Sequence, residues 1–191
     1  MTAPDPARIR SFASAAAWGD WLGIHHASEP ELWVKLPKGG LPGPSWEEAV
    51  IEALVWGWVD GVKGAGDAGC YLQRFTPRRK ASNWSQRNRA HAERLIATGR
   101  MQPPGLVAVA AARADGRWET AYAGQATMVI PADFLEALAA GPDAARETFA
   151  GLNRANLFAI YHRLTTAKRP ETRAKRIAQF VAMLARGETF H

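Results

Sequence analysis

The 191-residue sequence predicts an α+β fold. A small antiparallel sheet of about three strands packs with helices, and an all-helical region follows. Three observations predict this. The segments Glu31–Lys35, Trp58–Lys63 and Cys70–Thr76 alternate with period 2 and are rich in β-branched and aromatic residues. Between and before them lie serine-capped stretches with apolar residues at helical spacing. After Pro131 period 2 disappears and only helical stripes remain. Ala123–Val129 has no clear period, so the boundary falls there. Residues 1–122 form the α+β domain and residues 123–191 the helical one.

Residues 1–13 carry Pro4, Pro6 and little pattern, and read as a frayed lead-in. Ser14 caps a helix to about His26, with Trp18, Trp21, Leu22 and His25 on one face. After the Glu31–Lys35 strand comes a Pro- and Gly-rich loop. Ser45 and Glu48 then make a capping box for a helix that buries Trp46, Val50, Ile51, Leu54 and Val55. Gly57 ends that helix. Trp58–Lys63 and Cys70–Thr76 form a hairpin around the flexible turn GAGDAG. Asn83 and Gln86 cap a polar, basic helix to about Thr98, which packs by its ends through Trp84, Leu95 and Ile96. A short helix runs from Gly105 to about Ala114, and Trp118 and Tyr122 are irregular. Helices then cover about 131–140, 142–150, 153–166 and 170–186. Pro131 and Pro170 suit first turns, and Leu157, Ile160, Tyr161 and Leu164 form one stripe. Ile177, Phe180, Val181 and Leu184 form another, roughly opposite Arg169, Arg173 and Arg176.

An apolar fraction of 47% and a charged fraction of 22% are those of an ordinary soluble domain. The single cysteine, Cys70, excludes a disulfide framework within the chain; it reads as a buried, inert thiol in a strand. No apolar h-region opens the sequence and no apolar run nears the roughly 18 residues of a spanning helix, so a cytoplasmic protein without an integral membrane segment is expected. The net charge of +6 is unevenly placed. Arg74–Arg100 holds eight basic residues against one acid, and Arg163–Arg186 seven against one, on an otherwise acidic chain. Two such segments attract anions: nucleic acid, phosphorylated metabolites or an acidic membrane surface.

The sequence holds no phosphate loop, dinucleotide fingerprint, zinc spacing or Gly-x-Ser-x-Gly elbow, and no cofactor or metal is expected. His25 and His26, adjacent on a helix, point about 100° apart and cannot form one two-ligand metal site. His91-Ala92-Glu93 is half a deaminase signature, but no Cys-x-x-Cys follows. One constellation remains. Asp60 lies among apolar strand neighbours and needs a cationic partner, for which Arg74 on the next strand is the candidate. The pair either closes the sheet structurally or forms the polar floor of a pocket walled by Trp84, Arg78, Arg79 and Lys80. Planar guanidinium groups beside indole faces suit phosphate and carboxylate.

The segments Gly57-Trp58-Val59-Asp60-Gly61, Gln73-Arg74-Phe75-Thr76-Pro77-Arg78, Ser82-Asn83-Trp84-Ser85 and Ala167-Lys168-Arg169-Pro170-Glu171-Thr172-Arg173 together resemble the YdeI/OmpD-associated family. The resemblance runs from about Phe12 to Glu188. Its C-terminal part corresponds to the bacteriocin-protection, YdeI or OmpD-associated domain. The hairpin tip is richer in Gly, and the stretch before Pro131 poorer in Pro, than that family's pattern. The resemblance implies a bacterial protein linked to envelope stress and to bacteriocin or antimicrobial-peptide tolerance. It brings no established reaction, so no catalytic residue is carried over.

Two functions are in view. The first is a binding module for an anionic partner, a phosphorylated ligand or nucleic acid. Its anion site would use Arg74, Arg78, Arg79 and Trp84 with Lys168, Arg169 and Arg173, in a cleft between the domains. Lys168 and Arg169 precede the positive end of the last helix, which adds to their field. The second is an enzyme on a phosphorylated or carboxylated substrate, with Asp60 as acid or base and Arg74 and Arg78 as clamp. Peripheral membrane contact through the last helix ranks below both, because that helix's apolar face is needed for the core. A protein partner stays open, and the sequence specifies no oligomeric state.

Overall fold

Both strands of the expected hairpin form, and a third and a fourth strand extend the sheet. The computed structural model describes residues 4–191; the first three residues of the lead-in lie outside the described part. In the first unit, the chain through Trp84 with Asn88–Thr120, β1 is Ile9–Ser11, β2 Leu32–Pro37, β3 Trp58–Gly64 and β4 Cys70–Pro77. The sheet order is β1-β2-β4-β3, with β1 parallel to β2 and the other pairs antiparallel. The sheet is therefore mixed and four-stranded, not an antiparallel sheet of three. Much of the lead-in is ordered. Asp5 caps a 3-10 turn at Pro6–Arg8, and Ile9 then pairs with Trp33. A three-residue strand with one apolar side chain leaves no periodic signal; its partner's unpaired edge creates it.

Helix α1, Ala15–His25, is capped by Ser14 and covers one face of the sheet. Trp18 is wholly buried there, against Phe75 at 5.4 Å and edge-on to Trp58 at 6.2 Å. Its indole N–H donates to Ala49 O at 3.0 Å, tying α1 to α2, Trp46–Val55. The capping box of α2 is reciprocal. Ser45 N donates to Glu48 Oε2 at 2.8 Å and Glu48 N to Ser45 Oγ at 3.2 Å. The Ser45 backbone N–H, then its hydroxyl, hold the Glu48 carboxyl below its ordinary pKa. The face that α2 buries is Ala49, Val50, Ala53, Leu54 and Val55; Trp46 and Ile51 are only half-buried. Gly57 turns the chain from α2 into β3 at φ +73°, where a Cβ would also sit 2.8 Å from Pro104 O.

The hairpin carries a bulge between Asp60 and Lys63. Gln73, buried on β4, satisfies it by donating from Nε2 to Gly61 O at 2.9 Å. The glycine-rich tip is organised by Asp67, whose Oδ1 accepts from Gly69 N and Cys70 N, each at 3.0 Å. Cys70 is buried and unbridged. Helix α3, Gln86–Ala97, buries Asn88, His91, Ala92 and Leu95. This i, i+3, i+4, i+7 stripe packs along the helix's length instead of by its ends, and its small and polar members hide it from a hydrophobicity count. Helix α4 is Pro103–Ala114.

The second unit comprises Ser85–Arg87 and Ala121–His191. Within it Gln86 N donates to Tyr122 O at 2.8 Å. Four helices follow: α5 Ala132–Ala139, α6 Asp143–Ala150, α7 Arg154–Thr165 and α8 Pro170–Ala185. Pro131 is the cap residue before α5, while Pro170 opens α8. Phe134, Leu138, Ala145, Ile160, Leu164, Phe180 and Leu184 make the core. On α7 Leu157 is half-buried, and Asn156 and Ala159 take buried places in the stripe. Among the described residues no helix is long and apolar enough to cross a membrane.

Candidate functional site

The first unit holds a cavity of about 320 Å³ where the end of α2, the start of β3, the end of β4 and α4 meet. Trp56, Gly57 and Trp58 enter it from the α2–β3 turn, Pro77 to Lys80 from the end of β4, and Pro104, Val107, Ala108 and Ala111 from one face of α4. His26, Trp84 and Arg117 complete the wall. Pro77 ends β4, and the turn that follows is closed locally. Arg78 N donates to Gly57 O at 2.9 Å, Arg79 N to Ser82 Oγ at 3.0 Å, and Ser82 N to Arg79 O at 2.9 Å. The Arg78 guanidinium lies 3.7 Å over the Trp84 ring, and its Nη1 donates to Asn83 O at 3.2 Å. Trp84, buried, stands edge-on to Trp118 at 4.9 Å.

Arg117 is a cation only 8% exposed. Its Nε donates to both Asp115 oxygens at 2.7 Å and its Nη1 to Ser82 O at 2.7 Å, so it fastens the basic turn to the end of α4. His26 donates from Nδ1 to Leu22 O at 2.9 Å. Its ring lies 4.8 Å from that of Trp56. Of the residues around the cavity Arg78, Arg79, Lys80 and Arg117 are cationic, and none is a carboxylate. The arrangement can hold an anion at the turn and an apolar group against α4.

Residues 10–108, more than half of the chain, match the family described as Domain of unknown function (DUF8412). The chain belongs to this family. Residues 127–187 match the family described as Bacteriocin-protection, YdeI or OmpD-Associated, so the C-terminal part is a domain of that kind. The Gly57–Gly61, Gln73–Arg78 and Ser82–Ser85 segments fall in the stretch matched by the DUF8412 family. No curated protein and no solved structure matches the chain.

In the DUF8412 part, Arg78, Arg79 and Trp84 come together with Lys80 at the cavity, while Asp60 and Arg74 are not among its lining residues. Arg74 reaches a different acid. Its Nε donates to Glu31 Oε2 at 2.7 Å, its Nη2 pairs with the same oxygen, and Arg8 approaches the other oxygen at 3.7 Å. Asp60 stands opposite Phe75, so strand alternation places it on the Phe75 face and Arg74 on the reverse. The Asp60–Arg74 pair expected from adjacency is thus replaced by Glu31–Arg74, because register decides which face a strand residue takes. Arg117, His26 and the α4 wall were missed. Arg117 lies outside both basic segments, and only an Asp two residues before it hints at a fixed guanidinium.

In the YdeI/OmpD-associated part, Lys168 and Arg169 are exposed before α8, and Arg169 is its cap residue without a side-chain cap bond. Arg173 is engaged within the unit. Its Nε and Nη2 donate to Asp133 at 2.6 and 2.8 Å, and its Nη1 to Leu164 O at 2.7 Å. Arg176 likewise donates to Arg163 O. These two arginines satisfy carbonyls at the end of α7. Burial first, then the Arg163 and Arg176 charges, push the nearby His162 pKa down. The Arg173 hydrogen bonds hold the Asp133 carboxyl below its ordinary pKa. A lowered carboxyl pKa contributes stability that is present above the unfolded value, near 4, and is lost as pH falls through the folded one. Because the pair is partly exposed, Asp133→Asn is expected to cost only about 0.5–1 kcal/mol at neutral pH. The gap in thermal midpoint between the two proteins should close on acidification; a gap independent of pH would refute the assignment. Among the described residues no three His, Cys, Asp or Glu side chains converge to hold a metal ion.

Proposed function

We propose that the first unit is a binding module whose cavity takes a small anionic ligand bearing a phosphate or carboxylate. The observation that carries the reading is the turn after β4, where the exposed Arg79 and Lys80 stand at the cavity beside Arg78, whose guanidinium is stacked on Trp84. Arg78, stacked on Trp84 and bonded to Asn83 O, and Arg117, bonded to Asp115 and Ser82 O, fix the turn that carries Arg79 and Lys80 before any ligand arrives, which lowers the ordering cost of binding. Arg79 and Lys80 are exposed at the same turn and supply charge without being needed for the fold. The bacteriocin-protection description of the family matched by residues 127–187 is the ground for placing this binding in bacteriocin tolerance.

The test is the double variant Arg79→Ala, Lys80→Ala. Titration calorimetry with small phosphates and carboxylates at low salt should show binding that the variant weakens about tenfold or more, the worth of a charge-assisted hydrogen bond. Cells carrying the variant should be as bacteriocin-sensitive as cells lacking the chain. Unchanged affinity in the variant, or no binding of any small anion, would remove the reading. If a single-stranded oligonucleotide binds instead, its affinity should fall by about 0.7 log unit per log unit of salt for each phosphate neutralised. That result would transfer the site to nucleic acid.

A further inference from the structure

Helix α4 is apolar on two sides. One side, Gly105, Val109 and Ala112, is buried in the first unit. The other, Pro104, Val107, Ala108 and Ala111, follows the same i, i+3, i+4, i+7 spacing and lines the cavity. A helix lying on a protein surface needs one apolar face; a second one at a cavity calls for something to cover it. Val107 shows the deficit most clearly, as an aliphatic side chain 69% exposed at the cavity. Trp56 and His26, whose rings stack at 4.8 Å and 31° from parallel, also line the cavity and add aromatic surface to it. Arg78, Arg79 and Lys80 sit to one side, on the turn after β4. A bare oxyanion would engage that side alone, leave the α4 face wet and occupy only a small part of 320 Å³.

We propose that the ligand is an aromatic oxyanion: a flat apolar ring laid against the α4 face, joined to a phosphate or carboxylate held by the exposed Arg79 and Lys80. The claim rests on the anion-site reading above and narrows its ligand class. Small residues at Ala108 and Ala111 leave room for the ring, and the half-buried Trp56 adds aromatic surface at the same cavity. Charge complementarity sets its orientation, oxyanion toward the turn and ring toward α4.

The test uses the full chain and four probes: inorganic phosphate, phenyl phosphate, benzoate and phenol. Phenyl phosphate or benzoate should bind about tenfold or more tightly than inorganic phosphate, as burial of one ring implies, and the tighter of the two identifies the oxyanion. Val107→Ser, at an exposed position, should lower that affinity about threefold and leave inorganic phosphate unchanged. Equal affinity for inorganic phosphate and both aromatic anions would overturn the aromatic claim and leave the anion site standing. Phenol binding as tightly as the anions, or no probe binding at all, would overturn both.

Discussion

Gly105→Ala is expected to destabilise the first unit by about 3 kcal/mol, although the same change in a free helix would gain about 1 kcal/mol. A Cβ at this position would meet Val55 O and the Met101 sulfur at 2.5 Å and Leu54 O at 2.8 Å. Methionine can swing away, but the two carbonyls belong to the last turn of α2 and cannot yield without moving the helix. Gln102 N donates to Val55 O at 3.1 Å, so the start of α4 is anchored where the clash would occur. The adjoining side of α4, about 100° round the helix, is the cavity wall, and forcing the helices apart should weaken ligand binding beyond the loss of stability. Denaturant unfolding followed by tryptophan fluorescence reads the first effect and titration of the folded variant the second. A midpoint that rises would mean that propensity alone governs the position and that α4 does not approach α2 this closely.

Asn156→Ala should cost the second unit about 2–3 kcal/mol, the scale of leaving several buried polar groups unmatched. Asn156 is 3% exposed. Its Oδ1 accepts from Phe190 N at 2.9 Å and His191 N at 3.1 Å, and its Nδ2 donates to Asn153 Oδ1 at 3.1 Å. Through these bonds one α7 side chain holds the segment after α8. That segment seats Phe190 edge-on to Phe180 at 5.0 Å and beneath the Arg163 guanidinium at 4.1 Å. Loss of the amide should release Phe190 and open one end of the core. Thermal unfolding should shift down, and the amides of Phe190 and His191 should exchange faster in an otherwise folded protein. Unaltered exchange at those two amides would show that aromatic packing alone holds the segment.

Elements announced by local chemistry were legible. Ser14, Ser45 with Glu48, and Pro170 mark helix starts because the cap must satisfy backbone groups within three residues of itself. The Trp58 and Cys70 strands show their period because one face packs on Trp18 and the other does not. The family resemblance also rested on contiguous motifs. Illegible features depend on partners distant in sequence. β1 exists through the edge of β2. The stripe of α3 contains Asn88 and His91, polar residues made tolerable by neighbours that sequence does not rank. The acid for Arg74 is Glu31, 43 residues away, because register set the faces of the hairpin.

The candidate site divides in the same way. By itself the sequence determined the fold class, the helical nature of the C-terminal part and the basic, tryptophan-bearing turn from Arg78 to Trp84. These follow from capping, period and local charge, all of which act over a few residues. Only the tertiary structure decided that the turn borders a cavity, that Arg117 buttresses it from beyond α4, and that a second apolar face of α4 forms its wall. A concavity is made by surfaces meeting, and the close approach at Gly105 that lets α4 meet α2 cannot be read from either helix alone.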